Sequence, residues 1–123
     1  MDTETTAPGL IDFEDLAATD PALAAAAQWY KGLILIGAEH ERGYPCWVGK
    51  FPHMVDGELD QWEEWSVSIG RDRETKEWHI EVSTNELVAD QLSNAGAEGL
   101  ITTIRAAQAA QRAMDAGYFF LER

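Results

Sequence analysis

Glu64-Trp65-Ser66-Val67-Ser68-Ile69 and Glu77-Trp78-His79-Ile80-Glu81-Val82 are the two stretches whose reading decides the fold. In each, apolar and polar residues alternate strictly, the period of a strand with one dry face and one wet face. Antiparallel pairing of Ile69 with Trp78, Val67 with Ile80 and Trp65 with Val82 keeps the apolar side continuous. The same register sets Ser66 opposite Glu81 and Ser68 opposite His79, and a slip by one residue would turn every apolar side chain outward. Asp72-Arg73-Glu74-Thr75 is then the tip, a wider type I turn because no Asn-Gly is present there.

Upstream, Tyr44–Phe51 reads as a third strand, with Tyr44, Cys46 and Val48 on one side and Trp47 and Gly49 on the other. Pro45 has no N–H to give, so this strand starts there or lies at an edge. Pro52–Gln61 reads as a loop holding the turn signal Asp56-Gly57. Further back, Asp20 is a candidate N-cap with Pro21 at the first helical position, and Ala22–Ala27 favours helix. Leu23, Ala27, Tyr30 and Ile34 form a stripe at helical spacing. That helix either stops at Gly32, leaving Leu33–Ile36 as a buried strand, or runs to Arg42 with Gly43 as its left-handed stop. The weak strand propensity of Ala38–Arg42 favours the longer helix.

Downstream, Asn85–Leu92 is ambiguous, with a short helical turn as one reading. Ser93 caps a long final helix, and Glu98 sits in its first turns where negative charge suits the dipole. Leu100, Ile104, Ala107, Gln111 and Met114 line one side, widened by Ala97 and Ile101. Alanines at 106, 107, 109, 110 and 113 permit close approach, and Gly117 is the expected stop. The expected architecture is therefore α+β: a three-stranded antiparallel meander sheet with an N-terminal and a long C-terminal helix packed on one face. Residues 20–123 form this single domain. Residues 1–19 read as an acidic, partly disordered tail, in which Leu10, Ile11, Phe13 and Leu16 fold as a short helical turn against the domain or on a partner.

Length and composition suit this. The chain has 123 residues, 46% of them hydrophobic, and five tryptophans, enough to bury a core without staples. Cys46 is the only cysteine, so no intrachain disulfide can form, and a reduced cytoplasmic setting is expected. No Lys or Arg precedes Lys31, which argues against secretory and organellar leaders. The net charge is −13. Six acids precede Lys31, and Asp56, Glu58, Asp60, Glu63 and Glu64 lie between Lys50 and Arg71 with no base among them. Such a surface repels nucleic acid and anionic lipid and attracts basic proteins, although solubility alone also rewards it.

The vocabulary of catalysis is sparse. His40, Cys46 and His53, with Glu39, Glu41 and Asp56 nearby, lack the paired Cys or His spacing of a zinc site. A Cys46–His53 nucleophile pair oriented by Asp56 is conceivable on paper, but a cysteine on an apolar strand beside Trp47 is expected to be buried and inert. His79 is expected to be a solvated histidine between Glu77 and Glu81. Glu63 and Glu64 cannot flank one glycosidic bond, because neighbours on a strand point to opposite faces. No phosphate loop or dinucleotide fingerprint is present, and no cofactor or metal is expected.

Function is consequently read from the surface. Trp62 among Asp60, Glu63 and Glu64 has the composition of an aromatic anchor ringed by negative charge, against the plainer reading of a half-buried loop tryptophan. The expectation is a non-catalytic acidic module that uses Asp56, Glu58, Asp60, Trp62, Glu63 and Glu64 to dock on a basic protein partner. An inhibitor, immunity protein, antitoxin or phage accessory protein fits, and nucleic-acid mimicry is its sharpest form; neither direct nucleic-acid binding nor membrane binding is expected. The alternative is a structural subunit of a homodimer, larger homo-oligomer or virion-like assembly, joined through Tyr118, Phe119, Phe120 and Leu121.

Overall fold

A computed structural model describes residues 10–35, 42–72, 74–84 and 92–121. In chain order they form β1 (Leu10–Ile11), α1 (Phe13–Ala17), α2 (Pro21–Ala25), β2 (Tyr30–Leu35), β3 (Arg42–Val55), β4 (Glu58–Arg71), β5 (Trp78–Thr84), α3 (Asn94–Asp115) and β6 (Phe119–Leu121). The class is α+β with an antiparallel sheet and a C-terminal helix. The sheet has four long strands rather than three, β2-β3-β4-β5 in sequential order. Two short strands extend it: β6 pairs antiparallel with the start of β3, and β1 pairs parallel with β6.

The fourth strand comes from the segment expected to be helix. Asp20 caps α2 as its side chain accepts from the Ala22 N–H at 2.9 Å, and Pro21 opens the helix. The helix ends at Ala25, and a single 3-10 turn over Ala27–Trp29 redirects the chain into β2. Gly32 has φ +149°, a conformation suited to glycine, at the bulge where β2 joins β3. The stripe therefore breaks: Leu23 is buried, but Ala27 and Ile34 are exposed. Gly43 lies in β3 rather than stopping a helix, and the expected Ala38–Glu41 helix lies outside the described residues.

The β4–β5 hairpin keeps its predicted facing but slips by two residues. Ile69 opposes Ile80, Val67 opposes Val82, Trp65 opposes Thr84 and Arg71 opposes Trp78. An even slip preserves every side chain's face, so periodicity could not detect it. The tip decides it. The Asp72 carboxylate accepts from the N–H groups of Glu74 and Thr75, each at 2.8 Å, and Lys76 takes φ +65° to close a longer loop than the one expected. The Arg71 guanidinium lies 4.7 Å from the Trp78 ring centre and its Nε donates to the Lys76 carbonyl.

Pro52–Gln61 is no loop either. β3 and β4 pair from Cys46–Ser68 out to Val55–Glu58, joined only by Asp56 and Gly57. Both have positive φ, 51° and 81°, the signature of a tight type I′ turn, which matches the right-handed twist of the strands it joins.

One face of this sheet carries the core. Trp47, Trp65, Val67 and Ile69 are buried there beneath α3. The helix meets them with small residues: Gly96, Gly99, Thr103, Ala106, Ala107, Ala110 and Met114 are buried, whereas Leu100 and Ile104 are half-buried and Ile101 is exposed. Its buried side is thus rotated from the expected one, because the bulk is supplied by tryptophans of the sheet. A Cβ on Gly99 would approach Phe51 and Trp29 to 3.0 Å. Trp65 also lies over Gly49, its cross-strand partner, and fills the space a side chain there would take. At its far end α3 stops in a Schellman motif, with Gly117 (φ +100°) donating to Met114 O and Tyr118 N donating to Ala113 O, each at 3.0 Å. The N-terminal helices dock at the same core through Phe13, which stacks on Tyr30 at 4.1 Å and meets Trp47 and Phe120 edge-on. No helix among the described residues is long and apolar enough to cross a membrane.

Candidate protein-binding surface

The helix cover of the sheet ends at one point. Ser93 caps α3, its Oγ accepting from the Gly96 N–H at 3.0 Å. Glu63, from β4, reaches the same place: its carboxylate accepts from Ser93 Oγ at 2.7 Å and from Ser93 N at 3.1 and 3.2 Å. Glu63 is fully buried. A carboxylate removed from water needs such donors, and the positive end of the helix dipole favours it there. A Cβ at Gly96 would collide with Glu63 Oε1, so glycine is what lets the carboxylate in.

Beyond this anchor, β3 and β4 run on as an arm of about 13 Å, taking roughly 3.3 Å per residue over Pro52–Val55. Asp56, Glu58, Asp60, Trp62 and Glu64 are all exposed on or beside it. Of the six residues expected to meet a partner, five are therefore exposed on the arm or at its base, with Trp62 and Glu64 on one face and Glu58 on the other. Glu63 is not; it belongs to the helix cap. Its facing was legible, since position 63 shares parity with Trp65, Val67 and Ile69.

Met54, Val55, Leu59 and Trp62 are also exposed on the arm, at 45–51% of their accessible area. The sequence does not single out the first three, because Pro52–Gln61 reads as a loop. Trp62 lies on the strand opposite Pro52, with Lys50 Nζ 5.2 Å from its ring centre. Lys50 itself opposes Glu64. His53 Nδ1 is 3.5 Å from Asp60 Oδ2. A cleft of about 260 Å³ lined by Pro52, His53, Met54, Leu92 and Ser93 separates the base of the arm from the start of α3.

The remaining candidates are dispersed. Cys46 is buried, and desolvation pushes its thiol up from the ordinary value, away from a reactive thiolate. It sits seven residues from His53 along β3, roughly 23 Å at strand rise, so the two do not form a catalytic pair. His79 is exposed and its Nε2 lies 2.7 Å from Glu81 Oε2. Among the described residues no three His, Cys, Asp or Glu groups come together as a metal site, and His40, Glu39 and Glu41 lie outside them. In the C-terminal segment Phe120 is fully buried, Tyr118 is 46% exposed, and the backbone of Phe119–Leu121 is paired within the chain's own sheet.

No protein-family model matches the chain, and comparison with curated proteins and with solved structures likewise gives no match.

Proposed function

We propose that the protein is a non-catalytic acidic binding module, an inhibitor or accessory protein that docks on a basic protein through the distal β3–β4 arm. The observation that carries this reading is the joint exposure of Asp56, Glu58, Asp60 and Glu64 with Met54, Leu59 and Trp62 on an arm outside the core. Charged residues placed for solubility alone need no large apolar neighbours beside them. A net charge of −13 steers a cationic partner toward the surface, and apolar side chains supply contact area on arrival. For the alternative, assembly through Tyr118–Leu121, burial of Phe120 takes that one side chain out of reach of a partner, while Tyr118 stays exposed.

The test is calorimetric binding of a Lys-rich peptide to two variants with equal charge. One has Asp56, Glu58, Asp60 and Glu64 changed to their amides; the other has Asp15, Glu77, Glu98 and Asp115 so changed. The arm variant is expected to lose about tenfold more affinity than the control, with wild-type binding weakening steeply as salt rises. Equal losses in the two variants would remove the arm as the docking site.

A further inference from the structure

The β4 strand carries an irregularity that the core does not require. His53 pairs with Gln61 and Met54 with Leu59, so Asp60 is an extra residue without a cross-strand partner. On a regular strand Leu59 and Trp62, three apart, would point to opposite faces. The bulge at Asp60 restores them to the same one. The pairs Pro52–Trp62 and Met54–Leu59 then lie in succession on the face that continues from Lys50–Glu64. All four side chains of these two pairs are exposed.

From this we infer that the bulged face of the arm is a recognition surface for a cationic amphipathic segment, with Trp62, Leu59 and Met54 as its apolar centre and carboxylates as its rim. This rests on the basic-partner reading above and narrows it to one face and one chemistry. A second copy of the chain fits this face poorly, since closing two arms face to face would bring Glu64, together with Asp60 at the bulge and Asp56 at the turn, of each copy toward those of the other. A partner with Lys or Arg flanking apolar residues satisfies both parts of the surface. A purely charged ligand would leave the apolar centre in water. The bulge is the specificity device: it turns two alternating strands into a contiguous apolar patch, and bulges recur where a strand must re-aim a side chain.

Two peptides of equal length and charge separate the possibilities, one with Leu at helical spacing among Lys and one with Ser in place of every Leu. The full chain is expected to bind the Lys/Leu peptide about tenfold more tightly, with amide shifts confined to residues 50–64. Trp62→Ala should remove most of that preference. Inserting one residue between His53 and Met54, opposite Asp60, should abolish it as well, because regular alternation then turns Met54 and Leu59 off the face. Thermal unfolding of each variant guards against a folding defect. Equal binding of both peptides, still weakened by amidation of the arm, would overturn the apolar centre and leave the basic-partner reading intact. Indifference of both peptides to amidation of the arm would overturn both readings. Concentration-dependent dimerisation that disappears on the same insertion would replace the cationic segment with a second copy.

Discussion

Trp65 and Trp62 stand three residues apart on one strand and live in different worlds. Trp65, at the root of the β3–β4 hairpin, is 1% exposed between Phe51, Trp29 and α3; Trp62, on the arm, is 45% exposed. Root and arm share the same two strands and an unbroken ladder apart from one bulge. They differ in what lies above them. The helix covers the root and is capped at Ser93, level with Glu63, so among the described residues the strands beyond that level have no partner layer. Secondary structure here therefore outruns tertiary structure, and the surplus is where acidic and apolar side chains stand exposed together.

The comparison breaks most visibly if both tryptophans are truncated. Trp65→Ala should cost about 3–5 kcal/mol, because a large side chain leaves a cavity among rigid rings. Trp62→Ala should cost less than about 1 kcal/mol, the scale of an exposed cation–π contact with Lys50. Urea unfolding measures both, and comparable losses would mean that the arm belongs to the core.

How much of this was legible depends on which physical term chose the structure. The faces of β4 and β5 were legible, because burial imposes period two on Trp65, Val67 and Ile69. Their register was not, because a two-residue slip leaves period two unchanged and the choice fell to the Asp72 side chain at the tip. Strand β2 was hidden for a related reason: Leu33–Leu35 is apolar enough for helix or strand, and a glycine bulge plus an open edge of β3 decided it. The arm was signalled by Asp56-Gly57, a strong hairpin dipeptide, and was obscured by Pro52 and by the break in alternation at Asp60. That break is the bulge. On the surface, Asp56, Glu58, Asp60, Trp62 and Glu64 could be named from charge and composition, whereas burial of Glu63 required parity to be carried two residues back from Trp65.

The boundary between root and arm can be sharpened at Glu63. Glu63→Ala strips Ser93 of its acceptor and should cost about 2–3 kcal/mol; Glu64→Gln, one residue on and exposed, should stay within about 0.5 kcal/mol. Gly96→Ala should destabilise the wild type, because its Cβ meets Glu63 Oε1. In the Glu63→Ala background the same change should become neutral or stabilising, since alanine is favoured over glycine in a helix by about 1 kcal/mol. A double-mutant cycle reads this coupling directly, and additivity would show that the carboxylate does not seat at the helix end.

The smallest effect concerns the other end of β4. Asp72 is fully exposed, yet the N–H groups of Thr75 and then Glu74, donating to its carboxylate, hold it below the ordinary aspartate value. A folded-state pKa that lies below the unfolded one stabilises the fold fully above the unfolded value, near 3.9, and that stabilisation disappears as pH falls through the folded value. The difference in urea midpoint between wild type and Asp72→Asn should therefore be constant from neutrality to about pH 5 and shrink below about pH 4. If the Asp72→Asn difference instead grew in acid, the carboxylate would not be what holds the tip, and the two-residue slip of β5 would need another cause.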